Sequence, residues 1–265
     1  MSAVPLFQTG HYNNVHLGEQ GQVVKTSLAV FPTAEAADTF CGRLEAYHAA
    51  LAAGPLAVAD LLAVDILEAD DGYRIRHEMA FVDGPHLDEL SRAERRQAVG
   101  GVASALAEAP ALPDEPDKLL VPVDAKGPNL KGVRPKLIDI FPPYQWGGDG
   151  LITVGLGAEP DTAARAELTQ DFGTKAGALA SVVRSAMPAI RKGEGAVAYL
   201  ERQISSVPDW YVSLLPGRLP ADLRRQVQEQ VVRGLRLQQV IAGQVEQVAA
   251  DLGIEPEERR DPHRW

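Results

Sequence analysis

The stretch VDAKGPN at residues 123–129 is the segment that decides the fold, and the apolar run KLIDIF follows it at residues 136–141. A carboxylate inside an apolar run needs a reason, because burying an unpaired charge is costly. Phosphoryl transfer requires a carboxylate near the attacking hydroxyl, oxygen ligands for magnesium and positive charge on the phosphates. The polar residues of these two segments that could supply this set are Asp124, Lys126, Asn129 and Asp139.

The spacing of these residues resembles the catalytic loop of the protein-kinase and aminoglycoside-phosphotransferase superfamily. In that family the loop reads Asp, four residues, Asn, and a metal-binding Asp follows on a strand. The resemblance implies that Asp124 orients or deprotonates the acceptor hydroxyl, and that Asn129 and Asp139 hold magnesium. Lys126 matches a lysine found in many Ser/Thr-kinase loops, and it would offset the charge that develops on the γ-phosphate of ATP.

The N-terminal region resembles the nucleotide-covering loop and the strand lysine of the same family. The segment GHYNNV at residues 10–15 is followed by a turn and then by Lys25, which would reach the α- and β-phosphates. Glu45 follows on a predicted helix and would pair with Lys25, and the run at residues 76–84 looks like a strand and hinge whose backbone hydrogen-bonds an adenine. The residues that the resemblance assigns to nucleotide binding are Gly10, Asn13, Asn14, Lys25, Glu45, Glu78 and Ala80.

The pattern of the first 83 residues indicates a small antiparallel sheet with one helix. Short extended pieces separated by glycine-containing turns precede Thr33. From Thr33 onward, apolar residues recur at three- and four-residue spacing, which predicts an amphipathic helix that ends at Gly54. Two further strand-like runs at residues 59–67 and 73–82 then complete a unit of five strands and one helix.

The rest of the chain is predicted to be mostly helical, with short strands within residues 121–141. Apolar residues of the last helix form a stripe from Leu223 to Leu252 that we expect to be buried. The predicted helices cover residues 87–109, 159–190, 193–206 and 220–252. Together with the resemblance, this order predicts an α+β, two-lobed, protein-kinase-like fold, with a nucleotide-binding lobe at residues 1–83 and a catalytic and substrate lobe at residues 84–265.

Three departures from the family pattern bear on activity. Pro122 stands where a His or Tyr usually precedes the catalytic Asp, the loop at residues 10–15 has one glycine instead of three, and Ile140 follows Asp139. They leave open a pseudokinase that binds nucleotide, or a partner protein, without transferring phosphate. The tripeptide DFG at residues 171–173 spells the kinase magnesium motif, but it lies in a predicted helix, so Asp139 is preferred as the metal ligand.

Composition narrows the class of partner and the compartment. A formal charge of −10 weighs against a nucleic-acid partner and permits a cationic substrate. The single cysteine, Cys41, excludes an internal disulfide, and the N-terminus does not read as a signal peptide, so we expect a cytoplasmic protein. The most apolar stretch, residues 51–67, is interrupted by Gly, Pro and Asp, so we expect no membrane segment.

These observations predict an ATP- and Mg²⁺-dependent phosphotransferase that acts on a hydroxyl of a small molecule resembling an aminoglycoside, a sugar or another natural product. A kinase for Ser or Thr in a peptide or protein is the alternative that Lys126 supports. The pseudokinase is the non-enzymatic alternative. A helical scaffold that dimerises through the helix at residues 220–252 is a third hypothesis, and the sequence does not settle the oligomeric state.

Overall fold

The chain forms an α+β fold with a small antiparallel sheet and several helices. The computed structural model describes residues 6–9, 13–140, 144–147, 150–153, 172–187, 190–191, 193–211 and 213–251. The elements of its first part, called here the sheet region, are β1 (Leu6–Thr9), β2 (Asn13–Leu17), β3 (Val23–Ser27), α1 (Ala34–Ala52), β4 (Leu61–Ala69) and β5 (Gly72–Met79).

The second part, called here the helical region, contains four described helices and several short hairpins. Its helices are α2 (Arg92–Glu108), α3 (Lys175–Arg184), α4 (Ala196–Tyr211) and α5 (Ala221–Asp251). Its strands pair as the hairpins β6 (Ala111–Leu112) with β7 (Glu115–Leu119), β8 (Leu130–Lys131) with β9 (Lys136–Leu137), and β10 (Tyr144–Gly147) with β11 (Gly150–Thr153). The predicted order of a sheet with one helix followed by a mainly helical part is therefore confirmed for the described residues.

The sheet has the order β1-β2-β3-β5-β4, and every neighbouring pair is antiparallel. The turn between β4 and β5 requires glycine at residue 72. Gly72 has a φ of 135°, and a Cβ there would lie only 2.7 Å from the carbonyl oxygen of Phe31. Only glycine adopts such a conformation without strain. The sheet therefore places β3, the strand that carries Lys25, between β2 and β5.

Helix α1 packs its apolar stripe into the core, as its sequence predicts. The helix begins after Thr33, whose Oγ1 accepts a hydrogen bond from the Ala36 amide at 3.1 Å. Such a cap satisfies one of the amides that have no partner inside the helix. The buried residues of α1 are Ala37, Phe40, Leu44, Tyr47 and Leu51.

The helical region has a core built by α2, α3, α4 and α5. Helix α2 packs on α3, and α5 packs on both α3 and α4. The predicted stripe of α5 is correct only in its first half, because Leu223, Val227, Val231 and Leu235 are buried. Farther along, α5 turns small and polar residues such as Gly243 and Glu246 toward the start of α4.

Several large apolar side chains in the second half of α5 are exposed, which corrects the prediction for this segment, whereas Val245 is half-buried and Leu252 lies outside the described residues. The exposed residues are Leu237, Val240, Ile241 and Val248. The prediction failed because the start of α4 meets the face of this segment that carries Gly243 and Glu246, whereas these apolar residues lie at exposed positions. No helix in the described part of the chain has the length and apolar character needed to cross a membrane.

The sheet region and the helical region are joined by backbone hydrogen bonds close to the segment that decides the fold. The Ala59 amide donates to the Leu137 carbonyl at 2.9 Å, and the Leu137 amide donates to the Ala57 carbonyl at 2.8 Å. These bonds attach β9 to the linker between α1 and β4. Asp139, two residues beyond β9, therefore lies beside the sheet region.

Candidate functional site

Lys25 and Asp139 meet across the boundary between the two regions. Lys25 Nζ donates to Asp139 Oδ1 at 3.1 Å and to the Ile138 carbonyl at 2.9 Å, although these residues are more than 110 positions apart in sequence. The Lys25 side chain is 9% exposed and that of Asp139 is 37% exposed. Because a largely buried ammonium needs a counter-charge, the pair explains how the sheet accommodates Lys25.

His77 lies directly opposite Lys25 in β5 and is fully buried. Burial and the Lys25 ammonium lower the pKa of His77 from 6.5 to about 3, while Asp139 acts in the opposite direction. The imidazole is therefore neutral at physiological pH, and Lys25 is the cation on this side of the sheet. The sequence alone does not predict that His77 faces Lys25, because this contact depends on the pairing of β3 with β5.

Glu45 does not join Lys25, which corrects the pair expected from the resemblance. Glu45 is exposed on α1, whereas its neighbours Leu44 and Tyr47 are buried. A residue next to the apolar stripe of a helix points about 100° away from it, so the packing of α1 turns Glu45 outward. The carboxylate that pairs with Lys25 is that of Asp139.

Asp124, Lys126 and Asn129 lie together in a loop at residues 122–129, called here loop 122–129. Lys126 Nζ donates to Asp124 Oδ2 at 3.1 Å, and Asn129 Nδ2 donates to the Asp124 carbonyl at 3.1 Å. The turn of the loop is a 3-10 helix at Gly127–Asn129, whose Asn129 amide donates to the Lys126 carbonyl at 2.9 Å. Because Asn129 follows Asp124 by five residues, its side-chain amide lies against the backbone of Asp124, the residue that would act as the base.

The Asp124 carboxylate lies in an environment that favours its protonated form. Burial raises the pKa of Asp124 above 3.8, the Lys126 ammonium lowers it in part, and the charge of Asp139 raises it. Asp124 Oδ1 is buried and has no hydrogen-bond partner among the described residues. A buried carboxylate oxygen without a partner stands ready to accept a hydrogen bond from a hydroxyl group.

Loop 122–129 is held from both regions. The Tyr47 hydroxyl of α1 donates to the Pro122 carbonyl at 2.7 Å, and the Ile138 amide donates to the Asn129 carbonyl at 2.8 Å. Pro122 thus helps to anchor the loop through its carbonyl oxygen, although a proline at this position departs from the family pattern. The sequence predicts Tyr47 as a core residue of α1. It does not predict the hydrogen bond to Pro122, because the two residues are 75 positions apart.

The loop also approaches α3 so closely that residue 127 has to be small. A Cβ at Gly127 would lie 3.0 Å from Ser185 Oγ and 3.5 Å from the Cβ of Asp88. The first distance is tighter than ordinary van der Waals contact, so a larger residue would displace the loop or Ser185. The glycine of the VDAKGPN stretch therefore allows the loop to lie this close to Ser185.

The tripeptide DFG at residues 171–173, set aside because it was predicted to lie inside a helix, borders the site. Phe172 and Gly173 precede α3, and their carbonyls accept hydrogen bonds from the amides of Val123 at 3.0 Å and Leu119 at 2.8 Å. Asp171 lies outside the described residues. Phe172 has helical backbone and Gly173 lies in a bend before α3, and both contact the segment that leads to Asp124.

The expected adenine contacts at Glu78 and Ala80 are not supported. Glu78 lies inside β5, opposite Val24 of β3, and its carboxylate accepts hydrogen bonds from Gln22 and Arg76. The Ala80 amide donates to the Asp60 carbonyl at 2.8 Å. The sequence predicts a strand that runs to residue 82, whereas β5 ends at Met79, so Glu78 lies inside the sheet and the Ala80 amide is already bonded to Asp60.

Part of the expected nucleotide-covering loop can be placed. Asn13 begins β2 and is buried, and its Oδ1 has no hydrogen-bond partner within the described ranges. Asn14 is half-buried and lies opposite Thr26, one residue from Lys25. Gly10 lies outside the described residues, so its expected role stays a prediction.

Asp139 and Asn129 are the residues that could hold a magnesium ion. No group of three or more His, Cys, Asp or Glu residues suited to a metal occurs in the described part of the chain. A Mg²⁺ ion in phosphoryl-transfer sites uses one or two protein oxygens and completes its shell with substrate phosphates and water. One carboxylate and one amide oxygen fit that requirement, because the Asn129 Nδ2 is already bonded to the loop and leaves its oxygen for a metal.

No protein-family model matches the chain, and no curated protein is significantly similar to it.

Proposed function

We propose that the protein transfers the γ-phosphoryl group of magnesium-bound ATP to a hydroxyl group of a small molecule. The observation that carries this proposal is the contact between Lys25 and Asp139, at 3.1 Å, beside the loop that holds Asp124 and Lys126. Two cations and two carboxylates from distant parts of the chain thereby lie at one boundary. Phosphoryl transfer needs this combination and little other chemistry from the protein.

The nucleotide side of the site would be formed by Lys25. A phosphate group brings its own negative charge, so Lys25 can exchange its bond to Asp139 for bonds to the α- and β-phosphates of ATP without leaving a buried cation unpaired. The same exchange would release the Asp139 carboxylate from Lys25, so that it could bind the magnesium ion. The present ion pair then serves as the nucleotide-free form of the site.

Asn129 and Asp139 would hold the magnesium ion that accompanies ATP. When bound, the metal neutralises part of the phosphate charge and orients the nucleotide. The hydrogen bond from Asn129 Nδ2 to the Asp124 carbonyl, at 3.1 Å, fixes the orientation of the amide. A rigid amide of this kind needs no reordering before it binds an ion.

The transfer side would be formed by Asp124 and Lys126. Asp124 Oδ1 accepts a hydrogen bond from the acceptor hydroxyl, the hydroxyl oxygen forms a bond to the γ-phosphorus, and the bond from that phosphorus to the β,γ-bridging oxygen breaks. The hydroxyl proton passes to Asp124, and ADP leaves. Lys126 lies 3.1 Å from Asp124 Oδ2, within reach of the charge that the transferred group carries.

The architecture supports a protein-kinase-like interpretation of the fold. A five-stranded antiparallel sheet with a single helix precedes a mainly helical region, and the candidate site lies where the two meet. Ligand sites commonly lie at such boundaries. In this proposal the nucleotide-binding lobe ends near Asp83 and the rest of the chain binds the acceptor.

The proposed acceptor is a small hydroxylated molecule, and the negative net charge of −10 favours a cationic one such as an amino sugar. Cys41 takes no part, because burial and nearby carboxylates raise the pKa of its thiol to about 11. The proposed location is the cytoplasm, where ATP and magnesium are abundant and a single thiol stays reduced.

A second candidate function is nucleotide binding without phosphoryl transfer. The observation that favours it is the exposure of Glu45, which leaves Lys25 paired with Asp139 instead of with a helix carboxylate. If this pair persisted with nucleotide bound, Asp139 would not reach a metal ion. The two candidates differ in whether phosphate leaves ATP.

A transfer assay distinguishes them. The protein is incubated with magnesium and γ-³²P-ATP together with cationic amino sugars, neutral sugars and a mixture of Ser- and Thr-containing peptides. We expect label on an acceptor with the native protein and with Asp117→Asn, which alters an exposed carboxylate away from the site. Asp124→Asn should abolish the label. Equal labelling by the native protein and Asp124→Asn for every acceptor would overturn the proposal.

A further inference from the structure

Lys126 is held between a carboxylate and an aromatic ring. Its Nζ lies 3.1 Å from Asp124 Oδ2 and 5.1 Å from the centroid of the Phe172 ring. The Phe172 side chain is buried, whereas that of Lys126 is 53% exposed. The half-exposed Lys126 ammonium therefore packs against the ring of a buried phenylalanine.

The ring matters because a lysine side chain has many rotamers. A half-exposed ammonium that forms a single ion pair gains little from it and moves readily among other positions. Attraction to the negative face of an aromatic ring favours positions of the ammonium over the ring. Together, the ring and the carboxylate define one position for Nζ.

Phe172 acts on the same loop through its backbone as well. Its carbonyl accepts a hydrogen bond from the Val123 amide at 3.0 Å, one residue before Asp124. The neighbouring Gly173 carbonyl accepts one from the Leu119 amide at 2.8 Å. One buried residue thus contacts the chain on both sides of the carboxylate, through its carbonyl before Asp124 and through its ring after it.

We propose that Phe172 is a positioning residue, whose ring fixes the Lys126 ammonium against Asp124 and so prepares the cation that meets the transferred phosphoryl group. The effect on rate rests on the proposed function, whereas the effect on Lys126 does not. Asp124 and Lys126 contact the reacting atoms in that scheme, and Phe172 acts through Lys126. The DFG tripeptide includes Phe172 but does not indicate this contact, because Phe172 lies 46 positions after Lys126 and meets it only in the folded chain.

The test replaces Phe172 with phenylalanines that carry one, two or three fluorine atoms. Fluorine withdraws electrons from the ring and weakens its attraction for cations, while the shape of the side chain changes little. The same amino acids at Phe40, a buried phenylalanine of α1 that stacks near Phe31, provide the matched control. Phe172→Leu removes the ring, and Phe172→Tyr restores an aromatic face.

The first measurement is the NMR shift of the Lys126 ε-methylene protons, which an aromatic ring face moves upfield. We expect this upfield shift in the native protein, its loss in Phe172→Leu and its return in Phe172→Tyr. The second measurement is the steady-state rate of transfer. We expect kcat to fall stepwise with fluorination, by roughly two- to fivefold at three fluorines, with the KM for ATP unchanged.

The outcomes separate the two proposals. Lys126 protons without an upfield shift in the native protein, or with the same shift in Phe172→Leu, would overturn the positioning role of Phe172. A shift that depends on Phe172, in a protein that transfers no phosphate to any acceptor, would uphold the positioning role and reject the proposed function. An equal fall in kcat with fluorination at Phe40 would show that the effect is not specific to Phe172 and would also overturn the positioning role.

Discussion

The two lysines of the candidate site are held in different ways. Lys25 is almost buried, and its partner Asp139 comes from the other region of the molecule. Lys126 is half-exposed, and its partner Asp124 belongs to the same loop. The nucleotide side therefore depends on how the sheet region meets the helical region, whereas the transfer side depends on how loop 122–129 is supported.

This difference predicts which substitutions should affect only the loop and which should also affect the contact between the two regions. A substitution in loop 122–129 should alter transfer while the fold persists, because the loop is anchored by backbone contacts that involve Pro122, Val123 and Asn129. A substitution at Lys25 or Asp139 should alter nucleotide binding and the contact between regions together. Five predictions follow, in order of decreasing effect.

The largest effect is expected for Asp124→Asn. Removal of a general base lowers rates by about 10²–10⁴-fold, so kcat should fall by that factor. Because burial raises the pKa of Asp124, its ionised form costs stability at pH 7, and the variant should melt at a higher temperature than the native protein. Transfer assays and thermal melts check both results, and a variant that melts lower and still transfers phosphate contradicts the assignment.

For the proposed transfer, the pH profile of the native protein follows from the same carboxylate. Transfer requires the ionised form, so kcat should fall as the pH drops through a pKa higher than that of an ordinary Asp. The acidic limb should move to still higher pH in Lys126→Met, since the ammonium lowers the pKa of Asp124 in the native protein. An acidic limb that stays in place in that variant rejects Asp124 as the titrating group.

A matched pair of charge removals compares Lys25 with Glu45. Lys25→Met should weaken ATP binding by about 10- to 100-fold, because each hydrogen bond to a charged phosphate contributes about 1.5–3 kcal/mol. Glu45→Gln should change it less than twofold, since Glu45 is exposed. Calorimetric titration with ATP measures both. Comparable losses in the two variants would show that Glu45 reaches Lys25 when nucleotide binds.

His77 should make the fold sensitive to acid. Its folded pKa of about 3 lies below the ordinary value of 6.5, so the unfolded chain binds a proton there that the folded chain excludes. The free energy of unfolding should therefore fall as the pH drops below about 6.5, by up to about 1.4 kcal/mol per pH unit from this residue. Urea unfolding of His77→Leu should show a flatter pH dependence, and a dependence equal to that of the native protein would contradict the account.

The smallest effect is expected for Tyr47→Phe. The variant loses the hydroxyl that donates to the Pro122 carbonyl at 2.7 Å and leaves that carbonyl without its donor, which costs about 1–3 kcal/mol of stability. Tyr73→Phe is the control, because the Tyr73 hydroxyl forms no hydrogen bond within the described residues. Denaturant unfolding that gives equal values for the two variants would show that α1 does not support the loop through Tyr47.

Much of the local structure could be predicted from the sequence, because it depends on residue type and on the spacing of nearby residues. The cap at Thr33, the stripe of α1 and the turn at Gly72 each follow from residue type and periodicity. The offset between Asp124 and Asn129 was equally informative, since both residues lie in one loop. These features need no knowledge of the rest of the chain.

The parts that the sequence did not reveal are those fixed by long-range packing. Lys25 lies more than 110 positions from Asp139, so no local pattern could choose Asp139 over Glu45 as its partner. The place of Phe172 beside Lys126 depends on where α3 starts. The stripe of α5 was extended too far because periodicity shows that a face is apolar but not whether another helix covers it.

The central claim is that Lys25 and Asp139 separate to bind magnesium-bound ATP, and calorimetric titration tests it most directly. ATP is added to the native protein, to Asp139→Asn and to Asp117→Asn, each with magnesium and with a chelator. Magnesium should tighten binding to the native protein and to Asp117→Asn by tenfold or more, and should do little for Asp139→Asn. The same magnesium dependence in all three proteins, or no ATP binding at millimolar concentration, would contradict the claim.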